Sequence, residues 1–361
     1  MRKDGKLQKV VTPSISLESS SLFNSMDSTL DLSKENHGEG GAAQPLIPVS
    51  TKTNRISFWL IHVGCLGAIW TGVSPVAIAV CLGFYALRMF AITGWFHRYF
   101  SHNSFQAGRK TRFAFAFLGC MAAQKGPLWW ASHHREHHLF ADTPRDPHSP
   151  AQVGFWKSHM LWFLDPATFA VREERVRDLL RHPELRWLES RHWLAPLSAA
   201  IGFSLLGTIL QVRFPSLETD GLQMLVWGFF ISTVMLYHGT FSINSLGHLV
   251  GKPRYETGDQ SRNSAFLALI TLGEGWHNNH HHFPISARQG FFWWEFDVTY
   301  YVLRLLSKTG LIWDLKPVPE RVRDGKRIDA EAGRAGWAGR ARAFGMPTRR
   351  IRKKSERAAT A

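Results

Sequence analysis

Cysteine is scarce in this chain. Three residues among 361, Cys65, Cys81 and Cys120, all lie in apolar surroundings, and none has C-x-x-C spacing. That argues against a disulfide framework and against a thiolate metal site, and leaves the three as small core residues. Acidic residues are also few, 28 against 43 Lys and Arg, for a formal net charge of +15. Such an excess suits nucleic acid or an anionic membrane surface on the number alone. Distribution decides: positive charge lies at the two termini and beside apolar blocks, with no aromatic-interleaved basic motif. A membrane protein is expected, and no nucleic-acid partner. No secretory signal is evident. Residues 1–54 are polar and Ser-rich and read as a disordered tail, and Asp4, Glu18, Asp27, Asp31, Glu35 and Glu39 within them disfavour a transit peptide. Residues 318–361 read as a second, basic and disordered tail, and no repeat recurs at a fixed period.

Apolar and aromatic residues are plentiful, with 15 Trp and 25 Phe, while the mean hydropathy is slightly negative. Apolar blocks must therefore alternate with very polar ones. The blocks form two pairs, 56–71 with 76–96 and 193–212 with 222–245. Gly72-Val73-Ser74-Pro75 breaks the first pair, and Pro215 and Gly221 break the second. Each block approaches the length that crosses a bilayer, the first being the shortest. The expected architecture is all-α: four transmembrane helices in two hairpins, with a cytosolic helical cap, over residues 55–317. An even number of crossings returns the chain to its starting side. The basic segments share that side, which the positive-inside rule makes cytoplasmic.

Histidine carries the chemistry. Three boxes hold His97 and His102, then His134, His137 and His138, then His277, His280 and His281. Spacings of three and four put side chains on one helical face, so each of the last two boxes is expected to converge on one point. The first pair is five apart, so one of the two is predicted to lie past a helix end. Eight imidazoles suffice for two metals with about four ligands each. His248 is a ninth candidate, and Asn244, one turn before it, would hold a metal-bound water. All-imidazole ligation suits Fe, Zn or Cu, not Mg or Ca. A metal pair beside membrane helices faces a lipidic substrate, and oxidation of an unactivated chain fits that better than hydrolysis. Glu136, Asp142 and Asp146 either accept from imidazole N–H groups or are plain surface carboxylates.

The boxes, their order, the hairpins and the phrase Gly273-Glu274-Gly275-Trp276-His277-Asn278 resemble the integral-membrane fatty acid desaturases, specifically the stearoyl-CoA Δ9 group, over roughly residues 58–319. The resemblance implies a di-iron (Fe2+) centre held by the nine histidines His97, His102, His134, His137, His138, His248, His277, His280 and His281, with Asn244 ordering a water and O2 as co-substrate. His133 and His282 fall outside the pattern. It also implies a kinked tunnel for a long saturated acyl chain, shaped by Gln124, Trp130 and Thr240, and a cis double bond at carbon nine. At the headgroup end the chain departs from the animal members, with Lys125 and Ser132-His133 where they place Asn and an Arg-Asp pair. The carrier is left open among acyl-CoA, acyl-lipid and acyl-carrier protein. No His-Pro-Gly-Gly segment is present, so electrons would come from a separate donor such as ferredoxin or cytochrome b5. A hydroxylase or ketolase shares such boxes. A zinc-binding transporter would need ionisable groups within its spans, and these hold only Arg88 and His238, with His62 nearer an end.

Overall fold

The computed structural model describes residues 53–325, 327 and 328. Most of the two stretches read as tails, including the basic run Arg349–Lys354, lies outside the described residues. The fold is helical, as expected. Its longer helices are α1 (Arg55–Thr71), α2 (Pro75–Ser101), α3 (Arg109–Cys120), α4 (Pro127–Phe140), α5 (Pro183–Ser190), α6 (Leu194–Arg213), α7 (Gly221–Leu249), α8 (Ala265–Ile270), α9 (His277–His282) and α10 (Val298–Lys308). One antiparallel pair, β1 (Gln106–Ala107) with β2 (Ile312–Trp313), joins the segment after α2 to the segment after α10.

Local chemistry sets the breaks where the sequence placed them. Gly72 ends α1 at φ +60°, a conformation that a Cβ disfavours. Ser74 then caps α2, its hydroxyl accepting from the Ala77 amide at 3.2 Å, and Pro75 takes the first helical position. Asp220 caps α7 in the same way through the Gln223 amide at 2.8 Å. The α6–α7 hairpin is tight because Gly207 has no side chain: a Cβ there would stand 2.2 Å from the Asp220 carbonyl oxygen.

Among the described residues three helices, α2, α6 and α7, are long and apolar enough to cross a membrane, and α1 is shorter. The outer layer is apolar, with Ile69, Trp70, Leu205, Ile209 and Val212 all exposed. Within the bundle α6 buries 17% of its apolar window and α7 56%, which makes α7 the inner helix. One core joins Phe58 and Ile61 of α1 to Phe229, Tyr237 and Phe241 of α7. A larger one joins the end of α2 to α3, α4 and α5 through Trp95, Phe96, Phe100, Leu128 and Leu185, with Trp95 stacked on Phe115 at 4.2 Å. Each such fully buried side chain contributes about 1.5–3 kcal/mol, and together they fix the ends of α2 and α4, where the boxes lie. The aromatic run after α9 divides between core and surface: Phe291 is buried and Trp293 is 79% exposed. The start of the expected C-terminal tail is docked, since Tyr255 Oη donates to the Arg323 carbonyl and the Val322 carbonyl meets His282.

Candidate metal centre

The first box sits on a π-helical stretch, Ala91–Ser101, that ends α2. Hydrogen bonds there run to the fifth residue, and His102 caps the helix one residue beyond its end. His97 and His102 thus face each other, ring centres 5.0 Å apart, despite a spacing that fails on an α-helix. The second box rides on α4, whose first amides are held by a buried carboxylate: Leu128 N and Trp129 N donate to Glu189 at 2.7 and 3.3 Å. Burial pushes that carboxyl up to about 7 against these two bonds and the pull of Lys125. The third box is α9.

Neither of the later boxes converges on one point, contrary to expectation. One group gathers His97, His102, His134, His138 and His280, and a second gathers His137, His248, His277 and His281. Each box gives its i, i+4 pair to one group and its i+3 member to the other. The cause is the helix itself: i+3 and i+4 neighbours flank residue i on opposite sides, about 100° apart.

Within each group the imidazole Nε2 atoms face one another. The distances are 2.9 Å for His97–His280, 2.8 Å for His102–His134, 3.0 Å for His134–His138, 2.9 Å for His138–His280 and 3.0 Å for His248–His277. The opposite nitrogens are committed to carboxylates. His137 Nδ1 meets Asp146 at 3.0 Å, His248 Nδ1 meets Asp142 at 2.9 Å, His281 Nδ1 meets Asp259 at 2.7 Å, and His97 Nδ1 meets Glu274. An imidazole whose Nδ1–H is so held turns an Nε2 lone pair inward. Burial, reinforced by neighbouring imidazoles, holds His102, His134, His138, His277 and His280 well below the ordinary histidine range, so they are neutral. His281 Nε2 is buried with no hydrogen-bond partner among the described residues. Converging lone pairs repel unless a cation lies between them. A metal–imidazole bond of roughly 2.1 Å sets adjacent ligand atoms roughly 3.0 Å apart, so both groups fit a metal ion.

The carboxylates are themselves tied down. Burial raises Asp142, but bonds from His248, Ser149 and the Gln260 amide outweigh it and leave its carboxyl at about 2. Asp146 and Asp259 are driven lower still against the same cost of burial, by His148 and His137 and by His281 respectively. Glu274 is shared between His97 and the buried Arg98, whose guanidinium also pairs with Asp297 at 2.9 Å. Sequence reasoning raised Asp142 and Asp146 and missed Asp259 and Glu274, although Glu274 stands inside the phrase that carried the resemblance. Glu136 turns away to Arg172 at 3.1 Å. His133 and His282 join neither group: His133 Nε2 meets the Ala170 carbonyl, and His282 stacks on Tyr255 at 4.0 Å.

An apolar cavity between α2 and α7 leads to both groups. Met89, Ile92 and Ile243 line its stem, and Trp130, Thr240 and Asn244 line it beside His97, His134 and His137. Gln124 is brought to Thr240, donating from Nε2 to Oγ1 at 3.1 Å. Trp130 stacks on His134 at 5.1 Å.

The site is thus a helical bundle with three helices of membrane-spanning length among the described residues, nine histidines split into two groups that could each hold a metal, and an apolar cavity beside them. The comparisons with known proteins agree. Residues 72–314 match the fatty acid desaturase family, and the chain belongs to it. Among similar proteins is the palmitoyl-monogalactosyldiacylglycerol delta-7 desaturase, chloroplastic, of Arabidopsis thaliana, 40% identical over 66% of this chain and 62% of its own length. An acyl-CoA 5-desaturase of Anemone leveillei is 37% identical over 76% of this chain and 87% of its own. The delta-9 acyl-lipid desaturase 1 of Arabidopsis thaliana is 38% identical over 71% and 80%. The chain thus spans less than two thirds of the first relative's length.

Proposed function

We propose that this protein is an O2-dependent di-iron desaturase that places a cis double bond, at carbon nine, in a saturated long acyl chain. The observation that carries the reading is the apolar cavity whose wall includes members of both imidazole groups. His97, His102, His134, His138 and His280 would hold one iron. His137, His248, His277 and His281 would hold the other, with Asn244 beside it to keep a bound water. Iron held there supplies O2 activation and removal of hydrogen from the chain. The protein's own part is to orient the imidazoles through Asp142, Asp146, Asp259 and Glu274, to exclude bulk water, and to present one bond of the chain. Two hydrogens from the chain, with two electrons and two protons from outside, reduce O2 to two waters. The electrons come from a separate donor of the ferredoxin or cytochrome b5 kind. The relatives are named for acyl-CoA and for acyl-lipid substrates, and the acyl chain is the part these share. With purified protein in lipid bilayers and a reducing partner, O2 consumption should equal double bonds formed and require iron. Unchanged product in zinc-loaded, iron-free protein would contradict the reading.

The bond chosen would be set by a bend at Trp130 and Thr240, which line the cavity. Trp130→Ala or Thr240→Ala should lower activity and spread the double bond over neighbouring carbons, as gas chromatography–mass spectrometry of the products would show. A single trans product, or one mainly at another carbon in the unmodified enzyme, would refute the placement. The topology is also part of the proposal: α1, α2, α6 and α7 all cross, and the boxes face the cytoplasm. In intact cells, an impermeant thiol reagent should label Ser216→Cys, between α6 and α7, and spare Arg145→Cys beside the second box. The reverse pattern would overturn it.

A further inference from the structure

Thr240 lines the cavity and holds Gln124, and the turn that carries Gln124 is not self-supporting. Gln124 sits in the turn between α3 and α4, flanked by Ala123 at φ +55° and Lys125 at φ +65°. Both flanking residues carry a Cβ in the left-handed region, which that Cβ disfavours. Such a turn persists only where its surroundings over-determine it. The surroundings are one face of α7. Tyr237 Oη donates to the Ala123 carbonyl at 2.9 Å, and Thr240, three residues on, accepts from Gln124. Thr233, one turn before Tyr237, accepts from Arg88 Nη1 at 2.7 Å, and the same nitrogen donates to the Met121 carbonyl at 3.1 Å. A second arm of that guanidinium reaches Ser232, and its Nε donates to the Phe84 carbonyl at 3.3 Å. Arg88 is fully buried within α2, and all of these partners are neutral.

A fully buried guanidinium in a membrane-length helix is expensive, and here its donors join a carbonyl of α2, a carbonyl at the start of the turn and two hydroxyls of α7. Cavity-lining residues extend along the same two helices, Met89 beside Arg88 and Thr240 one turn from Tyr237. We infer that Arg88 and Tyr237 are positioning residues that fix the Gln124-bearing turn against α7, and so set which carbon of the acyl chain is oxidised. The inference rests on the desaturase reading. Neither residue belongs to a histidine group, so the two can be separated from the metal centre.

Tyr237→Phe is the cleaner test. The ring keeps its stacking on Phe58 and Phe241, both at 5.5 Å, so folding is preserved while the bond to Ala123 is lost. Arg88→Lys removes the fork that spans Thr233 and Met121. Expressed in a host without its own desaturase, each variant should keep the full metal content of the unmodified protein. The share of double bonds at neighbouring carbons should rise about fivefold, the change that loss of one hydrogen bond of about 1 kcal/mol makes in a ratio. A merely structural role would lower yield and leave that ratio alone. Variants with full metal content and an unshifted ratio overturn the inference while the desaturase reading stands. An unmodified protein that forms no double bond removes both.

Discussion

Replacing His280 by Ala should bring desaturation below detection while the protein remains in the membrane. His280 links the first box to the second within the five-histidine group, with Nε2 2.9 Å from both His97 and His138. It is almost fully buried, so the lost imidazole leaves a dry gap with facing lone pairs that no solvent repairs. His137→Ala should act alike through the other group. Its ring is held by Asp146, and the variant would strand that buried carboxylate beside His148. His282→Ala is the control within the same helix. It removes a ring stacked on Tyr255, outside both groups, and should retain metal. Metal analysis of purified protein alongside fatty-acid profiles checks all three. Full activity in His280→Ala would dismiss the ligand assignment.

The next largest effect belongs to the carboxylates that hold the imidazoles. Glu274→Gln and Asp259→Asn should each cost roughly 10–100-fold in metal affinity or activity, the usual penalty for removing the partner of a ligating imidazole. Glu274 carries the heavier load, because it serves His97 Nδ1 and Arg98 together. Its amide would leave Arg98 with the Asp297 carboxylate and the Ala287 carbonyl, inside a site that is almost completely buried. Competition with a graded chelator should show both variants releasing metal first, with helix content unchanged by circular dichroism. Metal retention equal to the unmodified protein would show that these carboxylates serve packing only.

Much of this was legible in the chain, because it rests on local rules. Ser74-Pro75 and Asp220-Gly221 start helices where apolar runs begin, and the histidine spacings mark helical faces. Two features were not legible, and both are geometric. His102 does lie past the helix end, as the five-residue gap implied, but the π-helical stretch that brings it to face His97 was not announced by the spacing. The division of each H-x-x-H-H box between two groups depends on what faces both flanks of the helix, and spacing alone says nothing of that. Asp259 and Glu274 reach their imidazoles across 22 and 177 residues of chain, so only the tertiary fold brings them in. The turn that carries Gln124 is likewise tied to a buried arginine that, in sequence, looked only like an oddity within a span.

The account stands most directly on the fatty acids of a desaturase-deficient host that expresses this chain. It predicts a new monounsaturated acid with a cis bond at carbon nine, present with the unmodified protein and absent with His280→Ala at equal expression. A saturated profile in both, or hydroxylated acids in place of unsaturated ones, would contradict it.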